Sequence, residues 1–272
     1  MTTCPAGTWI DPDDNTVITE AALVARLGDV RVVLAGERHD VMAIHLWQAD
    51  LARLLLAARG RIAIGFEMFP RDVQPALDDW CAGRIADETA FLDAVGWSQI
   101  WGFDPALYLP LIRLGRLDGV SLLGLNCRRD LVRRVGRDGF DAAAAMAAED
   151  GVSRPAPASA AYRLQLAAMT GRIMADPAAD PEGARRFDRF VAAQQVWDRA
   201  FACNIARALD GPDAPPVVLG IIGRGHMSFG NGTPHQLADL GITDTAVLLT
   251  GSAEDRFALT SGSADAVWHV DT

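Results

Sequence analysis

The sequence predicts an α/β protein: a central, largely parallel sheet flanked by helices, with a helical insertion or lid. Three observations predict it. Short β-branched runs alternate with amphipathic stretches in a β-α-β rhythm. The strand signal then vanishes between about 128 and 210, where alanine- and arginine-rich helical sequence dominates, and returns beyond it. Half of the 272 residues are apolar, ample for one sizeable core, so a single domain over 1–272 is expected.

Each element has its own reason. The β-branched run at 30–35 stops at Gly36 and reads as a buried strand, and the amphipathic stretch 40–58 reads as a helix. The run RIAIGF predicts a strand over 61–66. Helical spacing returns at about 73–82, 87–95 and 105–117, and the apolar run 120–125 predicts another strand. Within the helical insertion, Pro/Ala/Ser breaks fall at 153–159 and 176–183. Strands are then expected at 216–222 and 245–250, with a helix starting at 234 between them and 266–270 as a final edge strand.

Two copies of one pattern carry the chemistry. Gly36-Glu37-Arg38-His39 and Gly223-Arg224-Gly225-His226 each follow an apolar run, so each histidine is expected just past a strand end. The run 61–69 delivers Glu67 to a third strand end. In parallel α/β sheets, ligands bind in the crevice outside the carboxyl ends of the strands. One cleft holding Glu37, His39, Glu67 and His226 is therefore predicted, suited to general acid/base catalysis. His39, His226 and Glu67 would also suit a catalytic divalent metal with an open position, although the HExxH pattern is absent. Hydrogen-bonded structural histidines are the plainer alternative. Arg38 and Arg224 are candidates to neutralise an oxyanion. Asn126 after a strand, and Gln194 and Asp198 four apart on a helix, are candidate substrate-binding residues. His45 and Gln48 share a helical face as candidate supports. The glycine-rich segment 223–235 lacks both GxGxxG and GxxxxGK[ST], so it reads as a backbone-lined loop presenting His226 and not as a phosphate cradle.

Composition excludes several classes. The net charge of −10 gives no support to nucleic-acid or anionic-membrane binding. The chain contains no lysine, which rules out Schiff-base and P-loop lysine chemistry. Cys4, Cys81, Cys127 and Cys203 form no CxxC pair, so free thiols are expected. No basic-then-apolar leader precedes Cys4 and no 18-residue apolar run occurs, which predicts a cytoplasmic protein without a membrane anchor.

The succession LAGERHD (34–40), IGFEMFPRDVQPALDDWCAG (64–83), WGFDPALYLPLIRLGR (101–116), LGLN (123–126), AQQVWDRAFACNIA (193–206) and IIGRGHMSFGNGTPHQL (221–237) resembles the ChaN family of haem-binding uptake proteins. That family lies near the Tiki proteases and erythromycin esterases. The resemblance implies an α/β fold with a helical portion and offers two functions. One is haem or iron handling, with haem as cofactor. The other is hydrolysis of a small molecule, metal-assisted in the Tiki case, using Glu37, His39, Glu67 and His226. Val41 stands where the family commonly has Asn. For haem, the histidines, the methionines, Tyr108 and Tyr162 are the available ligands, and no spacing singles one out.

Overall fold

The computed structural model describes residues 6–252, apart from 173 and 175, and residues 259–270; Cys4 lies outside them. Eight strands form one sheet: β1 (Trp9–Ile10), β2 (Val17–Ile18), β3 (Val32–Glu37), β4 (Ile62–Pro70), β5 (Val120–Asn126), β6 (Val218–Gly223), β7 (Thr245–Gly251) and β8 (Ala266–His269). Their spatial order is β2-β1-β8-β7-β3-β6-β4-β5, parallel from β8 to β5 with the short β1–β2 pair antiparallel at one edge. The chain leaves β3, builds β4 and β5 to one side, then returns to insert β6 between β3 and β4. That reversal opens a crevice at the carboxyl ends of these three central strands.

Eleven α-helices are described. Before β5 these are α1 (Glu20–Arg26), α2 (Met42–Arg59), α3 (Gln74–Cys81), α4 (Glu88–Val95), α5 (Trp97–Ile100) and α6 (Leu109–Ile112). After it come α7 (Arg129–Asp138), α8 (Ala144–Glu149), α9 (Ala160–Thr170), α10 (Pro181–Ala208) and α11 (Thr233–Asp239). No helix among the described residues is long and apolar enough to cross a membrane.

Strands β3 and β6 are buried along their whole length, as expected where helices cover both faces of a parallel sheet. Alternate residues enter different cores. Val33, Ala35, Ile64, Phe66, Leu219 and Ile221 pack with Trp47, Trp80, Phe91 and Tyr108 on one face. Val32, Leu34, Ala63 and Ile222 meet Phe201, Ala202 and Ile205 of α10 on the other. The stretch 128–210 is thus helical as expected, and the last turns of α10 are also the main cover of one sheet face. Tyr162, Leu166, Phe187 and Val191 close a small core between α9 and α10.

Three expectations are corrected. Strand β4 continues to Pro70, with its pairing to β5 shifting register between Phe66 and Pro70. Glu67 therefore sits in a bulged stretch and not at a simple strand end; such bulges re-aim side chains. The stretch 105–117 is not one helix but a one-turn α6 between 3-10 turns, since Pro105 and Pro110 supply no N–H to a continuous ladder. The strand expected at the sheet edge over 266–270 is instead covered on its outer side by β1, which with β2 is only two residues long and too short to register as periodicity.

Candidate functional site

The parallel register sets Glu37 of β3 directly beside Gly223 of β6. Both copies of the Gly-x-x-His pattern therefore leave the sheet side by side, on adjacent central strands. Glu67 arrives from β4 on the far side of β6 and accepts the Gly223 backbone N–H through Oε2 at 2.5 Å. Asn126, at the end of β5, donates from Nδ2 to the Glu67 carbonyl at 2.7 Å, and Asn204 of α10 ties that strand end from below through Leu125 O at 2.7 Å. Glu67 is thus fixed by hydrogen bonds from both neighbouring strands.

Gly223 brings the backbone close to both His39 and Glu67. A Cβ placed there would stand 3.2 Å from His39 Cε1 and 3.3 Å from Glu67 Oε2. Gly232, at φ +61°, has the same role under the second histidine, because a Cβ there would come within 2.4 Å of His226 O.

Each histidine is backed by a buried carboxylate. His39 Nδ1 lies 2.7 Å from Glu37 Oε1, and His226 Nδ1 lies 2.7 Å from Asp198 Oδ1. A carboxylate can only accept, so Nδ1 carries the proton in both rings and Nε2 is left for chemistry. Behind each carboxylate stands a tyrosine. Tyr108 donates to Glu37 Oε1 at 3.2 Å, and Tyr162 donates to Asp198 Oδ2 at 2.6 Å.

His45 and Gln48 of α2 lie under the first pair. His45 Nε2 contacts His39 O at 3.2 Å, and Gln48 donates to Ala35 O at 3.0 Å. His45 Nδ1 is 3.2 Å from Gln48 Oε1 and 3.1 Å from Glu37 Oε2, the latter off the hydrogen-bonding direction. Glu37 Oε2 consequently has no hydrogen-bond partner among the described residues.

Aromatic rings wall both imidazoles. Trp101 meets His39 edge-on at 5.1 Å and Phe103 lies 5.0 Å away, while Phe201 and Trp197 flank His226 at 5.5 and 6.2 Å. Burial disfavours the charged form of His226, but the charge and hydrogen bond of Asp198, aided by Glu67, overcome it and push the pKa up to about 9. His39 is also raised. Its burial is outweighed by the hydrogen bond to Glu37 and the charges of Glu67 and Glu37, with His226 pulling the other way. Glu67 is therefore the charge that both rings share, and this arrangement can take up and release protons at two points around one carboxylate.

Donor atoms of Glu37, His39 and Glu67 lie within 4.8 Å of one another. This cluster shares His39 and Glu67 with the metal-ligand set expected from the sequence and has Glu37 as its third member.

Of the remaining candidates, Arg38 is exposed and its side chain makes no ion pair among the described residues, while Arg224 is half-buried beside an apolar cleft. Gln194 is half-buried and makes no hydrogen bond to the site among the described residues; its neighbour Gln195 holds Ala156 O at 2.5 Å. The cleft beside Arg224 has a volume of about 700 Å³ and is lined chiefly by Leu164, Ala168, Met169 and Phe229. Sequence reasoning missed the two tyrosines as carboxylate partners. Their scarcity was the available signal, since the chain has only two.

A family profile described as haem-binding uptake, Tiki superfamily, ChaN matches residues 23–237. Among solved structures, the chain is similar to ChaN of Campylobacter jejuni, described with cofacial haem binding, at 18% identity and TM-score 0.69, covering 96% of this chain and 95% of that one. It is also similar to an erythromycin esterase variant in its open conformation (13% identity, TM-score 0.52, covering 90% and 77%). A third likeness is to the RRSP effector domain of a Vibrio vulnificus MARTX toxin (15% identity, TM-score 0.51, covering 89% and 37%). No curated protein matches the chain.

Proposed function

We propose, for a chain that belongs to the ChaN family of haem-binding uptake proteins in the Tiki superfamily, that the cleft hydrolyses an ester or amide bond of a small molecule by acid/base catalysis. One observation carries this reading: two imidazoles, each tied through Nδ1 to a buried carboxylate at 2.7 Å, flank the single carboxylate of Glu67. His226, with the higher proton affinity, enters the reaction protonated. His39 Nε2 takes a proton from water as the oxygen attacks the carbonyl carbon. Arg38 and Arg224, each the residue after the Glu37–Gly223 pair, neutralise the oxyanion. His226 then gives its proton to the leaving oxygen or nitrogen as the bond breaks. Glu67 holds the Gly223 N–H and supplies a negative charge that both rings feel. Asn126 holds Glu67.

A divalent cation at Glu37, His39 and Glu67 would supply a Lewis acid. The donor set of two carboxylates and an imidazole suits one, but it competes with the 2.7 Å contact between His39 and Glu37 and with the Gly223 N–H on Glu67. The reading places the reaction in the cytoplasm, supported by the unpaired thiols of Cys81, Cys127 and Cys203.

The test is a panel of ester and amide substrates. His39→Ala and His226→Ala should each retain the fold and lose about 10²–10⁴ in rate, the usual cost of removing a positioned acid or base.

A second reading, haem handling without catalysis, is favoured by the family and by the apolar cleft of about 700 Å³, within the roughly 300–1,000 Å³ common for ligand pockets. Tyrosine ligation does not fit this arrangement, because Tyr108 and Tyr162 are buried and spend their hydroxyls on Glu37 and Asp198. Hemin titration discriminates the two readings. A saturable Soret shift of defined stoichiometry, unaffected by both histidine substitutions and accompanied by no hydrolysis, selects haem handling.

A further inference from the structure

The chain has two tyrosines in 272 residues. Both are essentially inaccessible, Tyr108 at 0% and Tyr162 at 2% exposure, and both donate to the carboxylate standing behind one of the two site histidines. They come from unrelated places, Tyr108 from the loop before α6 and Tyr162 from α9. Burying a phenol in a core costs free energy unless its hydroxyl is bonded, and phenylalanine would fill either space without that requirement. Tyr162 illustrates the point: its ring belongs to the small α9–α10 core, while its hydroxyl reaches out of that core to Asp198 Oδ2 at 2.6 Å.

From this geometry we propose that Tyr108 and Tyr162 are paired positioning residues, building two equivalent relays, Tyr108–Glu37–His39 and Tyr162–Asp198–His226. The inference rests on the acid/base reading of the site. Asp198 has two side-chain torsions to fix, and Glu37 three, before either can hold an imidazole in one orientation. A fixed donor on the carboxylate removes one of them, so that the lone pair facing Nδ1 stays aligned. In the second relay the two donors take different oxygens, Oδ2 bound by the tyrosine and Oδ1 by the histidine, with Thr233 Oγ1 also donating to Oδ1 at 3.4 Å. In the first, both donors meet Oε1, and His45 beneath Oε2 limits rotation in place of a second hydrogen bond. Neither tyrosine touches the open face of the cleft, so neither is a catalytic residue.

The scarcity of tyrosine makes the test direct. Biosynthetic replacement by 3-fluorotyrosine gives the full-length protein two 19F signals, assigned by Tyr108→Phe and Tyr162→Phe. Asp198→Asn should move the Tyr162 signal alone, and Glu37→Gln the Tyr108 signal alone, because each replaces a charged acceptor by a neutral one. A complementary reading requires no carboxylate substitution: Tyr162→Phe should shift the downfield Nδ1 proton of His226 and leave that of His39 unchanged. Kinetically, each Tyr→Phe variant should lower kcat about ten- to a hundredfold, the effect of one hydrogen bond to a charged group, with KM changed less than about twofold. Signals that ignore the carboxylate substitutions, or Tyr→Phe variants that keep both the imidazole proton shifts and kcat, overturn the proposal. The fluorine and proton signals decide it even where the substrate panel gives no turnover, so failure of the hydrolytic reading and failure of the relays are separate results.

Discussion

Glu67 accepts the backbone N–H of Gly223 at 2.5 Å, joining the bulged stretch of β4 to the end of β6 where the His39 ring lies against the backbone. The bond makes the strand end and the carboxylate one rigid unit, so a small change at either residue is felt by both imidazoles.

Gly223→Ala tests that tightness. The backbone at 223, φ −54° and ψ 131°, suits alanine, so stability should change by no more than about 1 kcal/mol. The new methyl would press on the His39 ring at 3.2 Å and on Glu67 at 3.3 Å. A displacement well under 1 Å should cost about ten- to a hundredfold in kcat/KM. Thermal melts beside rates on the substrate panel check it.

Gly232→Ala should behave differently. Its φ of +61° and a Cβ 2.4 Å from His226 O leave no room without moving the main chain. A loss of about 1–3 kcal/mol in stability is expected, together with loss of activity through the displaced His226. Denaturant titration measures the first.

Glu67→Gln removes the charge that raises both imidazoles. The pKa values of His39 and His226 should both fall, followed by imidazole NMR across pH, while Asp198 keeps His226 the higher of the two. An unchanged His226 would place Glu67 outside the electrostatics of that ring.

His226 also makes stability depend on pH. Its folded pKa, about 9, lies above the ordinary histidine value of 6.5. The stabilisation is therefore fully present below about pH 6.5 and is lost as pH rises through 9. The size follows the shift, on the order of 3 kcal/mol. Unfolding free energies measured at pH 6, 8 and 10 should decline over this window, and Asp198→Asn should flatten the decline.

Chelation separates the two ways in which Glu37, His39 and Glu67 could work. Acid/base catalysis by the dyads predicts that activity survives exhaustive treatment with a chelator. Loss that is restored by one divalent cation, with about one equivalent found by metal analysis, assigns the activity to a metal at the donor cluster.

Much of this molecule is legible in its sequence, and the reasons are local. Val32 to Ala35, Ile62 to Phe66 and Val218 to Ile222 are apolar runs too short for helices and too continuous for half-exposed strands, so buried parallel strands follow. The resemblance carried by the motifs at 34–40, 64–83 and 221–237 pointed to the family that the profile match establishes. His39 and Glu67 are positioned by their own strands and could be named before any fold was known.

Other features depend on contacts between distant segments, which periodicity does not encode. The insertion of β6 between β3 and β4 is a choice of strand order, and it alone brings Gly223 beside Glu37 and within reach of Glu67. Asp198 could be placed on a helix face from its spacing to Gln194, but its partnership with His226 and Tyr162, 28 residues ahead and 36 behind, required α9 and α10 to be packed together. The sequence by itself determined the element types and the residues able to do acid/base chemistry, because local periodicity and side-chain identity are written in the chain. Only the tertiary structure decided which carboxylate backs which histidine and that each carries a tyrosine behind it, because hydrogen bonds between groups far apart in sequence exist only once the core has fixed their distances.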